Sequence, residues 1–224
     1  MLPKYLFHPS TVALILINLS TILIALVEQW DVFVLLFLYV AQGLIIGFFH
    51  YFKVLRLKKI DVTNFKKNFT LEINGRQASV DGLSPSEAKK TAANFFITGF
   101  LGFNLVYLIF ICAFIAATGN TTTLSNQGIF SIGFILLLLG YILTHGLSYT
   151  LSKDEINKKI NLGSYVNEPL MRIFPIHLTI VIGGFFIANF NSQIYILLLF
   201  LILKTLFDVN SHIKQHEKNL TLNQ

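Results

Sequence analysis

The sequence predicts an all-α polytopic membrane protein with six transmembrane helices and a small cytoplasmic β-hairpin between helices two and three. Three observations carry that expectation. Of the 224 residues 54% are hydrophobic and only 12% charged, whereas soluble domains carry about a quarter charged residues. The apolar residues gather into blocks near the ~20 residues that a hydrocarbon core requires. All 17 lysines and arginines fall at the N-terminus, in 53–92, in 153–172 or from 204 onward.

The blocks place helices over about 10–28, 32–54, 85–118, 128–151, 170–189 and 194–212, with a cytoplasmic loop at 55–92, in one integral-membrane domain of residues 1–224. The N-terminal "MLPKYLFHPS" has one lysine and no small-residue cleavage motif, so the first block reads as a retained helix and not a removed signal. The second block contains Gly43 and Gly47, a GxxxG pair that lets helices approach closely. The run "KVLRLKKIDVTNFKK" after it reads as a stop signal in contact with lipid headgroups. In "FTLEINGRQASV" two alternating stretches flank Asn74-Gly75, a strong hairpin signal.

"SPSEAKK" then offers Ser84 as N-cap, Pro85 at the first helical position and Glu87 three residues after the cap. The third helix therefore starts before its membrane-spanning part, which runs over roughly 93–118. The single cysteine, Cys112, excludes an intrachain disulfide and reads as packing. In the fifth block "EPLMRIFPIH" has two prolines, predicting an irregular entry that frees a carbonyl near His177. Gly183 and Gly184 follow it, a second small-residue face. These two faces serve packing within the chain first and a homo-oligomer second.

The links 29–31, 119–127 and 190–193 contain no Lys or Arg. With an even number of spans, the positive-inside rule puts the basic segments and both termini in the cytoplasm. The net charge of +6 thus reads as topology, with attraction to anionic headgroups, and not as nucleic-acid binding. The expected partner is the lipid bilayer.

Ionisable groups inside apolar spans are costly and count as site candidates. Taking ~1.5 Å per residue, His145, His177 and Lys204 lie at similar depth above the cytoplasmic helix ends. Asp208 and His212 follow Lys204 at one-turn intervals on the same helical face. His50 and Gln42 share the inner half of the second block, while the outer half holds little beyond Asn18 and Asn104. The candidate cluster is His145, Ser148, Arg172, His177, Thr179, Lys204, Asp208 and His212. One reading is a divalent metal held by His145, His177, Asp208 and His212; the bland one is a Lys204–Asp208 pair with satisfied histidines. Serine chemistry at Ser148 with His177 as base lacks the second glycine of a nucleophile elbow. A proton path lacks a polar trail in the outer half.

Asn18, the segment Tyr39 to Gly47, "HGLS" at 145–148, "RIFPIHLTIVIGG" at 172–184 and "KTLFDVNSH" at 204–212 follow one another in a recognisable order. In that order the chain resembles a family of small polytopic membrane proteins, domain of unknown function 6498. The resemblance covers nearly everything outside the 56–90 loop, and its last two segments are the specific part. It marks the same residues as the depth argument, favours a prokaryotic cytoplasmic membrane and brings no activity. Members of the family tend to carry Glu where this chain has Gln42, and histidines where it has Gly99 and Tyr107. A site here is then reduced to His145, His177, Asp208 and His212, or weakened, which favours a binding or structural role. The expected function is an integral membrane protein whose inner-leaflet cluster holds a metal or small polar ligand. The alternatives are a proton- or ion-coupled carrier or channel, and a non-catalytic scaffold.

Overall fold

A computed structural model describes residues 9–61, 71–73, 76–78, 83–118, 122–125, 127–151, 157, 159–172, 202, 205 and 206. Four apolar blocks are helices in it: α1 (Pro9–Val27), α2 (Val32–Arg56), α3 (Pro85–Thr118) and α4 (Ile132–Leu151). The helices α2, α3 and α4 are long and apolar enough to cross a membrane by length and composition. In α1 the corresponding apolar stretch is the shorter Ile15–Val27. The fifth and sixth expected spans fall almost wholly outside the described residues. Glu168–Arg172, where the fifth was expected to enter, is a 3-10 turn, in keeping with a proline at 169 that withholds a backbone donor.

The polar connections form short strands. β2 (Leu71–Ile73) and β3 (Arg76–Ala78) pair antiparallel, with Leu71 opposite Ala78 and Ile73 opposite Arg76. Asn74 and Gly75 are the two residues between them, as a two-residue hairpin connection requires. A second pairing was not anticipated: β1 (Lys59–Asp61) lies parallel to β4 (Lys159–Asn161). Asp61 and Lys159 stand 3.7 Å apart across it, an exposed pair of small energetic weight. Asn161 then caps the short helix α5 (Leu162–Asn167), its Oδ1 accepting from the Ser164 N–H at 3.0 Å.

Each helix end solves the problem of its unpaired backbone groups differently. At α3 the capping box forms as the sequence predicts. Glu87 N–H donates to Ser84 Oγ, while Ser84 N–H donates to Glu87 Oε2 at 2.8 Å. The Ser84 hydroxyl and N–H hold the Glu87 carboxyl below the usual carboxylate range, with Lys90 adding to them. The capping contribution is therefore present above the ordinary carboxyl range and fades only as pH falls through the lowered value. α4 opens at Ile132, later than the 128 expected from its apolar run. Residues 127–130 are turns, and Ser131 Oγ accepts from the Phe134 N–H at 3.2 Å.

α1 closes with paired bonds, Trp30 N–H to Ala25 C=O at 2.9 Å and Gln29 N–H to Leu26 C=O at 3.4 Å. This is a Schellman motif, which needs a left-handed residue after the helix. Gln29 occupies that place at φ 54°, where glycine would carry no Cβ penalty.

The chain forms two compact units: Met1–Ala41 with Leu108–Gly140 and Met171–Gln224, and Gln42–Tyr107 with Tyr141–Leu170. In the first, the run Val32–Leu36 and Leu38–Val40 of α2 is buried nearly all round, with Trp30, Ile111 and Leu137. In the second, α2 and α3 approach closely. A Cβ on Gly43 would lie 2.7 Å from Asn104 Oδ1, and one on Gly47 2.6 Å from Phe100 Cδ1. The GxxxG face of α2 is thus occupied within the chain, while Gly183 and Gly184 lie outside the described residues. Buried residues recur along α3 at helical spacing through Ala92, Phe96, Phe100, Asn104, Tyr107 and Ile111. The other faces stay apolar and exposed, Leu105, Val106 and Ile109 among them. Cys112 belongs to that outward face and is exposed, where the sequence suggested packing. Inside, Thr21 donates to Ile17 C=O at 2.8 Å and Asn104 Nδ2 to Phe100 C=O at 2.8 Å. Back-bonding of this kind satisfies polar side chains in apolar surroundings.

Gln29→Gly raises stability by about 0.5–1 kcal/mol and Gln29→Val lowers it, read as shifts of the unfolding midpoint in detergent. Gly47→Ala costs about 1–3 kcal/mol through overpacking against the Phe100 ring. Gly99→Ala, where nothing lies within 4 Å of the added Cβ, is neutral or stabilising in the same assay.

Candidate functional site

Polar side chains of the second unit gather where α2 and α4 end. The last turn of α2 carries Lys53 and Arg56, a favourable place for cations against the helix dipole. Lys53 Nζ donates to Ser148 Oγ on α4 at 3.0 Å. The Arg56 guanidinium lies over the Tyr149 ring, 4.5 Å from its centroid, within cation–π range. Phe49 packs on Tyr149 from one turn above, with centroids 5.9 Å apart. No Asp or Glu occurs in either helix.

Around this foot the other elements supply aromatic and amide groups. His50 is buried, stacked on Tyr165 of α5 with centroids 5.0 Å apart and set edge-on to Phe96 of α3 at the same distance. Tyr51 OH donates to Asn94 Oδ1 at 3.2 Å. Lys89 Nζ donates to the Leu57 carbonyl at 3.0 Å, satisfying an oxygen just past the end of α2. Two cations, a hydroxyl and flanking aromatic rings suit the binding of a polar or anionic group.

Of the residues singled out from the sequence, Ser148 is exposed and hydrogen-bonded to Lys53, and His145 is half-buried three residues before it. Arg172 ends the 3-10 turn. His177, Thr179, Lys204, Asp208 and His212 lie outside the described residues. Among the described residues no three His, Cys, Asp or Glu side chains come together as a metal site. The sequence placed His50 among the inner-half polar groups; it read Lys53 and Arg56 only as part of a basic stop run in contact with lipid headgroups, and it gave no role to Tyr149.

A family described as Family of unknown function (DUF6498) matches residues 2–223. The chain belongs to this family. No curated protein and no solved structure matches it. DUF6498 membership thus extends over nearly the full sequence and carries no activity with it, so a role must be argued from the residues.

A second polar group, in the first unit, went unnoticed in the sequence. Glu28 Oε1 accepts from the Gly133 N–H at 3.0 Å and Oε2 from the Trp30 indole at 2.9 Å. Asp31 Oδ1 accepts from the Val34 N–H at 2.9 Å and Oδ2 from the Thr123 hydroxyl at 2.6 Å. Both carboxylates thereby sit on helix N-termini, Asp31 on α2 and Glu28 on α4, where negative charge is stabilised. A Cβ on Gly133 would run into Ile24 Cγ2 and lie 2.6 Å from Glu28 Oε1, so glycine is what lets Glu28 reach that backbone. These groups are matched donor to acceptor and serve structure. Glu28→Ala leaves the Gly133 and Trp30 donors without their acceptor and costs about 1–3 kcal/mol. Glu28→Gln, which keeps one acceptor oxygen, costs less; chemical unfolding of both variants in micelles checks the order.

Proposed function

We propose that the chain is an integral membrane protein of six spans with both termini cytoplasmic, and that the foot of α2 and α4 binds a polar, anionic ligand and does not catalyse a reaction. The carrying observation is the segregation of cations. No Lys or Arg occurs in 5–52, 91–152 or 173–203, and the first cations after α2 enters its apolar run are Lys53 and Arg56 at its last turn. By the positive-inside rule that end is cytoplasmic. The outward apolar faces of α1, α3 and α4 support lipid contact, because contiguous exposed apolar surface of this extent marks an interaction surface. Blocks 170–189 and 194–212 supply the remaining two spans by length.

A binding role is favoured over a catalytic one by the chemistry of the foot. Lys53 and Arg56 of α2, in contact with Ser148 and Tyr149 of α4, suit an anion. The neighbouring His50 is buried between two rings, so it does not face an open site.

Labelling in intact cells tests the topology. In a Cys112→Ser background, Gln127→Cys is modified by a membrane-impermeant maleimide added outside, and Asn157→Cys only after the membrane is opened. Modification of both from outside would remove the spanning reading, and the reverse pattern would invert the orientation. Cys112 of the unaltered chain, exposed on α3, resists the reagent until the protein is denatured, because lipid covers it.

A further inference from the structure

On α2, Leu44, Phe48, Phe52 and Arg56 succeed one another at four-residue intervals, and all four are exposed. Residues at that spacing stand one above another on a single helical face. The two phenyl rings touch edge to face with centroids 4.9 Å apart, so the column is a continuous apolar strip that ends on a guanidinium. At ~1.5 Å per residue it is about 18 Å long, close to the ~15 Å of one hydrocarbon leaflet. On α4 the exposed Leu143 and Leu147 stand one turn apart, and the exposed Ser148 follows Leu147 directly. Where the strips end, Lys53 is joined to Ser148 and Arg56 to Tyr149. Two cations and a hydroxyl thus sit at the foot of apolar surface as long as an acyl chain's path through a leaflet.

We propose that this foot, with the strip above it, is a binding site for an anionic glycerophospholipid, its phosphate at Lys53, Arg56 and Ser148 and an acyl chain along Leu44, Phe48 and Phe52. The inference rests on the reading that α2 and α4 span a bilayer and names the ligand of the site proposed above. Lys53 and Arg56 give the foot two positive charges, which favour an anionic lipid over a zwitterionic one. Arginine matches phosphate oxygens with paired N–H donors, and lysine adds a point charge. Cations near a membrane surface each favour anionic lipid, and here two are held in fixed contact with α4.

The test uses the full chain in bilayers of phosphatidylcholine, with spin-labelled phosphatidylglycerol or spin-labelled phosphatidylcholine as probe. The motionally restricted lipid population is measured for each probe. The wild type prefers phosphatidylglycerol, and Lys53→Ala/Arg56→Ala lowers the preference by roughly tenfold or more. Lys58→Ala/Lys59→Ala removes the same charge from outside the column and leaves the preference nearly unchanged. Helical circular dichroism of both double variants, equal to that of the wild type, shows that a lost preference reads binding and not folding. Equal restriction of the two probes by the wild type, or equal loss in the two double variants, would overturn the specific site while leaving the spans intact. No restricted population for either probe would overturn the spanning reading itself, and the lipid site with it.

Discussion

A charge or an unpaired peptide group placed in apolar surroundings costs several kcal/mol, and the chain is arranged around avoiding that cost. Its cations stand at helix ends or in the connections, never in the apolar stretches of α1 to α4. Polar side chains that do enter those stretches, such as Thr21 and Asn104, turn back onto carbonyls of their own helix. The helix N-termini are closed by side chains, local ones at Asp31 on α2, Ser131 on α4 and Ser84 with Glu87 on α3, and the distant Glu28 on α4. The same constraint that excludes charge from the helices concentrates it where they stop, and that is where the candidate site lies.

What the sequence made legible was local. The capping box at Ser84–Glu87 and the hairpin joined through Asn74-Gly75 each depend on residues within a few positions of one another, and both form. The helices were equally readable, because a run of aliphatic residues leaves a buried or lipid-facing helix as the economical way to pair every backbone group. The opening of α4 was misplaced because Gly128 to Ser131 are apolar enough to continue the run, yet Ser131 is the better cap.

The features that escaped were long-range. Glu28 meets the Gly133 N–H across 105 positions, Thr123 meets Asp31 across 92 and Lys53 meets Ser148 across 95. No periodicity or turn signal joins such residues in one chain. β1 and β4 are three residues each, too short to announce a parallel pairing. Gln29 was hidden for a different reason: a glycine there would have signalled the end of α1, and the left-handed position is filled by a residue that carries no such signal. The row of Lys204, Asp208 and His212 remains a feature of the sequence, whereas the contacts of Lys53 and Arg56 are features of the fold. That difference moves the candidate site to the feet of α2 and α4.

The account stands or falls on lipid covering the outward faces. Spin labels placed singly at Leu105, Val106 and Ile109 of α3, and at Gln127 in the connection, in the protein reconstituted into bilayers, test this most directly. Collision with oxygen, which partitions into hydrocarbon, is compared with collision with a water-soluble nickel complex. The account predicts oxygen-dominated relaxation at the three α3 positions and nickel-dominated relaxation at 127. Nickel-dominated relaxation along the outward face of α3 would mean that water covers it, and the membrane reading would fail.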